Sequence, residues 1–211
     1  MTETQLETKE RILAKAKELF MRLGIRSVTM DEVATQCGIS KKTIYQFFDD
    51  KDSLVESIMS SEVNSSEDKC SFVQQKSENA IHEVLMGDEM AVEIFEQMNP
   101  SVMYDLQKYY PKAYKILDGH KRQFMYHEVL KNLQRGVSEG LYRADFNVDI
   151  VSRLRMDSIM LPFNHELFPP GKYSIITVMQ ELTDHFLHGI INAKGKKMLE
   201  KYKLTEKTEH I

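Results

Sequence analysis

The sequence predicts an all-α protein, and three observations lead to this fold class. Apolar residues recur at intervals of three and four along almost the whole of the 211 residues. Capping residues, glycines and prolines divide the chain into segments of helical length. No stretch alternates apolar and polar residues as a half-buried strand does. We therefore expect helices that pack around one or two cores.

The composition is that of a globular protein without a membrane segment. Hydrophobic residues make up 42% of the chain and charged residues 28%, an ordinary balance for a packed domain. No apolar run approaches the ~20 residues that cross a bilayer, and the first residues lack the apolar core of a secretory signal. We expect a cytoplasmic protein in which Cys37 and Cys70 remain thiols and pack as small apolar residues.

The first helix is predicted from about residue 8, and Gly24 ends it. Thr29 and Glu32 have the spacing of a capping box, which predicts a second helix over 30–37. Gly38 allows a sharp turn. Ser40 is the expected N-cap of a third helix, which continues to about residue 48.

The remaining chain is also predicted to be helical. A helix that begins near Lys51 enters a polar stretch over 60–69, which leaves open one long helix or a helix followed by a linker. Pro100, Pro111 and Gly140 separate later helices, while Asn147 and Ser174 are expected to begin two more. The charged end, from residue 194 to residue 211, is expected to be irregular.

Two helices joined by a short turn that contains glycine form a helix-turn-helix, whose second helix enters the DNA major groove. Side chains at the start of that helix lie closest to base edges, and glutamine can pair with adenine. Hydroxyl and ammonium groups at its edges and at helix N-termini suit phosphate oxygens. The net charge of −4 means that binding depends on arrangement rather than bulk charge. The predicted DNA-binding residues are Thr29, Ser40, Lys41, Lys42, Thr43, Tyr45, Gln46 and Lys51.

Several spacings in this region occur together. They are T-x-x-x-[IV]-A at Thr29–Ala34, G-[IV]-S-K at Gly38–Lys41, Y-x-[YF]-F at Tyr45–Phe48 and K-x-x-L at Lys51–Leu54. With Phe20 and Gly24, they closely resemble the DNA-binding domain of the tetracycline-repressor-like (TetR) family of transcriptional regulators, over about residues 9–61. Two positions depart from the family pattern: Cys37 stands where alanine is usual, and Phe47 where tyrosine is frequent. Phe47 is therefore given no DNA role.

The resemblance implies a domain arrangement and a function. A three-helix DNA-binding domain is expected over 5–53, with the helix-turn-helix at about 29–48. A helical ligand-binding and dimerisation domain is expected over 54–205. The implied function is that of a ligand-responsive repressor that binds a pseudo-palindromic operator as a homodimer, without a cofactor.

Two further sets of residues are predicted from the C-terminal part of the chain. An apolar stripe on two late helices is larger than one small domain readily covers, so we expect it to form the dimer interface. Its members are Ile150, Leu154, Leu161, Ile176, Met179, Leu182, Phe186 and Ile190. Aromatic, methionine and polar side chains are expected to line a pocket for a small hydrophobic or aromatic effector. These residues are Phe95, Met98, Tyr104, Phe124, Tyr126, His127, Met160 and Phe163.

Two other classes of function are an enzyme, including a metalloprotein, and a helical protein that does not bind DNA. A helical carboxylate metalloprotein needs Glu-x-x-His pairs, but no glutamate stands three residues before any histidine. His185 and His188 share a helix without a second pair of metal ligands, so we expect no metal site. No nucleotide-binding or hydrolase motif occurs either, and we expect no enzyme. A helical ligand-binding or scaffold protein that has lost DNA binding remains the alternative.

Overall fold

The computed structural model describes residues 3–209, and the all-α prediction is confirmed. The N-terminal helices are α1 (Glu3–Leu23), α2 (Met30–Gln36), α3 (Lys41–Ile44), α4 (Lys51–Lys76) and α5 (Ala80–Glu96). They are followed by α6 (Ser101–Tyr109), α7 (Pro111–His120), α8 (Tyr126–Ser138), α9 (Val148–Met160), α10 (Ile175–Ile190) and α11 (Ala193–Glu209). A π-helical turn, Lys121–Met125, joins α7 to α8, and a 3-10 turn, Leu161–Phe163, follows α9. None of the described helices has the length and apolarity needed to cross a bilayer.

The structure decides one open question and corrects one expectation. The polar stretch over 60–69 lies within the single helix α4. The charged C-terminal segment, expected to be irregular, forms α11, although residues 210–211 lie outside the described residues. It is helical because Leu199 is buried in a hydrophobic core that Met198 and Tyr202 also pack against, and such packing supplies most of the stability of a helix in a protein.

The described chain forms two compact units. The first contains the described part of Met1–Ser66 together with Gln97–His120, so α6 and α7 belong with α1, α2 and α3. The second contains Glu67–Glu96 and the described part of Lys121–Ile211. The predicted functional division after residue 53 is a separate matter and stays a prediction.

The first unit packs its short helices against the longer α1. Ile12 and Ala16 of α1, Val33 of α2 and Ile44 of α3 have essentially no exposed surface. Because α2 and α3 are too short to be stable alone, this shared core is what keeps them helical. Phe48 is also buried, so the chain beyond α3 continues to cover the core.

The second unit has a hydrophobic core formed by α5, α8, α10 and α11. Its buried members are Ala80, Ile81, Leu133, Leu141, Tyr142, Leu187, Ile190 and Leu199. Polar groups inside this unit are bonded to one another: the Tyr142 hydroxyl donates to Asn132 at 3.1 Å, and the Asn132 amide donates to the Ala80 carbonyl at 2.9 Å. Burial raises the pKa of the Tyr142 phenol, which therefore remains a hydrogen-bond donor.

Gly136 on α8 lies so close to the Tyr142 ring that a larger residue should not fit at this position. A Cβ added at Gly136 would lie 2.1 Å from the Tyr142 ring, which is buried and hydrogen-bonded to Asn132 through its hydroxyl. We expect Gly136→Ala to lower the free energy of unfolding by about 1–3 kcal/mol through overpacking. Urea denaturation followed by circular dichroism measures the change.

Gly87→Ala is the matched control, since a Cβ on this α5 glycine meets no atom within 4 Å. There the better helix propensity of alanine should leave stability unchanged or raise it by up to about 1 kcal/mol. Equal losses in the two variants would show that contact with Tyr142 is not the cause.

Candidate nucleic-acid interface

Two backbone hydrogen bonds fix the turn between α2 and α3. The Ile39 N–H donates to the Ala34 carbonyl and the Gly38 N–H donates to the Thr35 carbonyl, each at 3.0 Å. These bonds form a Schellman motif, which ends a helix with a residue in the left-handed region. Gly38 is that residue, with φ +65°. The predicted role of this glycine follows directly from its geometry.

The N-termini of both helices are capped by the predicted residues. The Thr29 hydroxyl accepts from the Glu32 N–H at 3.2 Å, and the Glu32 carboxylate accepts from the Thr29 N–H at 2.6 Å. These bonds to Thr29 hold the pKa of Glu32 below its usual value. At α3, the Ser40 hydroxyl accepts from the Thr43 N–H at 3.0 Å. Thr29 and Ser40 therefore have a definite structural role, and their proposed phosphate contacts would be additional.

The third helix, expected to continue to about residue 48, ends at Ile44, and a turn follows it. This helix and turn expose three of the predicted DNA-binding side chains. Ile44 and Phe48 lie in the core, which turns Lys42, Tyr45 and Gln46 outward. Within the part of the chain that the structure describes, these three side chains make no hydrogen bond or ion pair. They are thus available to a partner without the loss of an existing bond.

The other predicted side chains at this surface have partners within the protein. The Lys41 ammonium pairs with Asp31 at 2.9 Å, and this contact raises the pKa of Lys41. The Thr43 hydroxyl lies 2.8 Å from the Ser40 hydroxyl. A contact between Lys41 and DNA would therefore compete with, or share, its pairing with Asp31.

Lys51 was expected to be a phosphate-binding side chain at the surface, but in the structure it contacts groups within the first unit. Its ammonium donates to the Arg26 carbonyl at 3.3 Å and lies 5.6 Å from the centre of the Phe20 ring and 5.8 Å from that of Tyr110. Burial lowers its pKa. These contacts make Lys51 primarily a side chain that joins α4 to the rest of the first unit, a role that sequence spacing did not reveal.

The first unit also contains contacts that the sequence did not predict. Asp105 on α6 is buried, and its carboxylate accepts from the Arg26 N–H at 2.9 Å. The Asn99 N–H donates to the Met21 carbonyl at 2.6 Å, and the Arg26 guanidinium lies 4.7 Å from the centre of the Tyr109 ring. The segment just before α2 is therefore held by α6. The only sequence signal was Asp105 itself, an acid within an amphipathic helix.

The predicted effector-binding residues are divided between the two units. Met98 and Tyr104 lie in the first unit, Met98 buried and Tyr104 exposed with its hydroxyl 2.6 Å from the Lys108 ammonium. The others lie in the second unit, where the Phe95 and Phe163 rings are 4.9 Å apart in an edge contact. The residues of this second group are Phe95, Phe124, Tyr126, His127, Met160 and Phe163.

An open pocket of about 280 Å³ lies in the second unit beside the π-helical turn. A π-helical turn brings residues five apart onto one side of a helix, which explains how both Lys121 and Tyr126 line it. Its charged groups are paired: Lys121 with Asp157 at 2.8 Å, and Arg153 with Asp149 at 3.1 Å. The Tyr126 hydroxyl also donates to Asp149. This charged pocket is unlike the apolar cavity expected for the effector.

The predicted dimer residues divide by exposure. Ile150 and Leu154 on α9 are 61% and 68% exposed, and half-buried positions are Leu161, Ile176, Leu182 and Phe186. Met179 and Ile190, in contrast, are buried within the single chain. Their side chains have little surface left for a partner, so we revise the expected interface to exclude them. No group of three metal-binding side chains occurs within residues 3–209.

Residues 12–58 match the family described as "Bacterial regulatory proteins, tetR family". A relative in Bacillus subtilis, the uncharacterized HTH-type transcriptional regulator YvaF, is 24% identical over 182 residues. That alignment covers 86% of this chain and 94% of the relative. The similarity therefore extends well beyond the helix-turn-helix.

Solved structures show the same fold over most of the chain. A TetR-family transcriptional regulator from Agrobacterium tumefaciens aligns with a TM-score of 0.72 at 13% identity, over 89% of this chain and 100% of that one. A transcriptional regulator from Saccharomonospora viridis, solved in complex with choline, aligns with a TM-score of 0.71 at 19% identity, over 89% and 98%.

The contact between Asp105 and Arg26 generates a prediction. Asp105→Ala removes a buried acceptor and leaves the Arg26 N–H without its bond, so we expect a loss of about 1–3 kcal/mol in the free energy of unfolding. Asp49→Ala is the control, since Asp49 is exposed. Thermal unfolding of both variants checks the result. Unchanged stability in Asp105→Ala would show that water replaces the carboxylate without cost.

Proposed function

We propose that this chain, which is a DNA-binding transcriptional regulator of the TetR family, is a ligand-responsive repressor that binds a pseudo-palindromic operator as a homodimer. The family consists of regulators rather than enzymes. The observation that carries the proposal is the exposure of Lys42 on α3, and of Tyr45 and Gln46 in the turn that follows it, in a helix-turn-helix whose two helices both have N-caps. A bound dimer represses by excluding polymerase from the promoter. Because its target is DNA, we also propose a cytoplasmic location.

The roles of the exposed side chains follow from their chemistry. Lys42 donates to guanine acceptors, and Gln46 pairs with adenine through two hydrogen bonds. Tyr45 donates to a phosphate, which fixes position without reading sequence. Lys41 and Thr43 contribute near the start of α3, and Thr29 and Ser40 lie at helix N-termini that attract phosphate. Lys51 supports the surface from within and reaches phosphate only if it leaves the Arg26 carbonyl.

The homodimer is supported by the exposed apolar residues of α9. Two-fold symmetry pairs the same surface on both chains. It also places two recognition helices about 34 Å apart, or a multiple of that distance, to match successive major grooves. Ile150 and Leu154 form the centre of the proposed interface, with contributions from the half-buried positions on α9 and α10.

The effector is proposed to be a small hydrophobic or aromatic molecule. The complex of the Saccharomonospora regulator with choline supports a small-molecule effector in this fold. An effector releases DNA only if it binds the DNA-incompetent arrangement more tightly. A coupling of about 1–3 kcal/mol corresponds to a loss of operator affinity of about 5- to 150-fold, and operator must weaken effector binding by the same factor.

The alternative, a helical ligand-binding or scaffold protein that has lost DNA binding, is distinguished by one experiment. In a mobility-shift assay, the protein is titrated onto DNA that contains the region upstream of its own coding sequence and onto random DNA of equal length. A regulator binds the upstream DNA selectively. Equal binding to both DNAs, or no binding to either, would favour the alternative.

The first prediction from this function concerns base recognition. Lys42→Ala and Gln46→Ala should each weaken binding to specific DNA by about 1–3 kcal/mol and relax specificity at one position. Random DNA should lose much less affinity. Fluorescence anisotropy with operator variants measures both effects. Lys131→Ala, an exposed α8 lysine that pairs with Glu128, is the control. Equal losses on specific and random DNA would reassign both side chains to phosphate.

The second prediction concerns assembly. Leu154→Asp places a charge at the centre of the proposed interface and, because Leu154 is exposed within the protomer, should not disturb folding. We expect monomers in analytical ultracentrifugation and weak binding to a two-half-site operator. Leu167→Asp changes another exposed leucine outside the interface and should leave the dimer intact. A dimeric Leu154→Asp protein would remove this face of α9 from the interface.

A further inference from the structure

Arg155 is a buried cation whose hydrogen-bonding capacity is largely unused. It lies on α9 with 9% of its surface exposed. Its Nη2 donates to the Thr183 hydroxyl on α10 at 3.0 Å, and its guanidinium carbon lies 4.7 Å from the centre of the Phe186 ring. Within residues 3–209 its side chain makes no other hydrogen bond, although a guanidinium offers five N–H donors. Burying such a group costs free energy unless acceptors join it.

Arg135, in the same unit, provides the contrast. Its Nε donates to Glu139 at 2.7 Å, its Nη1 donates to Glu83 and to the Ser77 hydroxyl at 2.8 Å, and its Nη2 donates to the Ser77 carbonyl at 3.1 Å. Every nitrogen has a partner, and two carboxylates offset the charge. Arg135 therefore has a complete structural site, which Arg155 does not.

The acid that interacts with Arg155 is held away from it. Asp88 on α5 attracts the guanidinium, but its Oδ1 accepts from the Thr183 hydroxyl at 2.7 Å, and no ion pair joins Asp88 directly to Arg155 within the described residues. Burial raises the pKa of Asp88. Asp88 and Arg155 are therefore linked through the Thr183 hydroxyl, without a direct hydrogen bond between them.

Apolar surface on α5 continues from this polar cluster. Only the first turn of α5, at Ala80 and Ile81, is buried. Residues three, four and seven positions from Asp88 lie on the same face of the helix. On that face Val92 and Phe95 are half-buried, while Leu85 is half-buried and packs against the hydrophobic core of the second unit.

The far end of this face is marked by an aromatic pair. The Phe95 ring contacts the Phe163 ring, in the turn after α9, at a centroid distance of 4.9 Å. Phe95 lies seven positions after Asp88 in α5, which is a distance of about 10 Å along the helix axis. The helices that present Arg155, Asp88 and Thr183 therefore also present an apolar surface about as long as a medium-sized hydrophobic molecule.

From this arrangement we infer that the effector is an apolar or aromatic carboxylate, whose carboxylate pairs with Arg155 while its apolar body lies along α5. A planar carboxylate accepts two parallel N–H bonds from a guanidinium, which gives both strength and orientation. Incompletely covered apolar residues with one convergent charged group have the composition of a small-molecule site. The inference rests on the proposed ligand-responsive function and narrows its effector class.

Calorimetry on the full-length protein tests this inference with matched probes. Decanoate and phenylacetate are the carboxylates, decanol and phenylethanol are their uncharged analogues, and choline is a cation. We expect at least one carboxylate to bind about tenfold or more tightly than its analogue, because the analogue leaves the buried guanidinium without an anion. Choline should bind more weakly than either acid.

Two variants of Arg155 test its role. Arg155→Gln and Arg155→Met should weaken the carboxylate by about 10- to 100-fold while changing the alcohol little, so that the preference for acid is lost. The methionine variant is included because replacing a buried charge with an apolar side chain is often tolerated. Arg153→Gln, which removes an exposed arginine of α9 that pairs with Asp149, should keep the preference. Thermal unfolding confirms that each variant is folded.

Three outcomes would overturn the inference. The first is failure of both carboxylates to bind wild-type protein. The second is retention of the preference for acid over alcohol in folded Arg155 variants. The third is a loss of carboxylate affinity in Arg153→Gln as large as that in the Arg155 variants. If neither Arg155 variant folds, the comparison of acid with alcohol on wild-type protein decides alone. Mobility shifts separate this result from the proposed function: carboxylate binding without DNA binding supports the site and rejects the regulator. If only uncharged or cationic probes release the protein from DNA, the regulator is supported and the carboxylate site is rejected.

Discussion

The exposure of Lys42, Tyr45 and Gln46 depends on how two very short helices satisfy the backbone groups at their ends. Neither α2 nor α3 is long enough to persist in water by itself. The Thr29 and Ser40 caps, the bonds around Gly38 and the burial of Ile44 act together, since each holds the turn in the geometry that the others require. The side chains proposed to face DNA are thus positioned by groups that need not touch DNA.

This dependence also explains what could be predicted from sequence. Caps and the glycine turn act over three to six residues, so their spacing is visible in the chain, and their geometry in the structure is as expected. Lys51 was harder to place because its neighbours, the Arg26 carbonyl and the rings of Phe20 and Tyr110, are distant in sequence. The same holds for α11, whose charged composition conceals the few apolar residues that pack against the core.

Two arginines of the second unit, the half-buried Arg135 and the buried Arg155, serve different purposes. Arg135 joins the segment after α4 to α5 and to the end of α8 through four hydrogen bonds, so its removal would leave several groups unpaired at once. Arg155 joins α9 to α10 through one hydroxyl. Sequence cannot distinguish them, because both stand in amphipathic helices. Only the number of acceptors around each guanidinium separates a structural arginine from one suited to a ligand.

The absence of internal bonds to Lys42, Tyr45 and Gln46, within the part of the chain that the structure describes, has an evolutionary consequence. These side chains contribute little to folding. If Lys42 and Gln46 read bases as proposed, substitutions at these two positions change the preferred DNA sequence without destabilising the domain. After gene duplication, one copy could acquire a new operator through a few such changes while its fold persisted. Core and capping positions lack this freedom, so lineages should diverge in regulatory targets faster than in architecture.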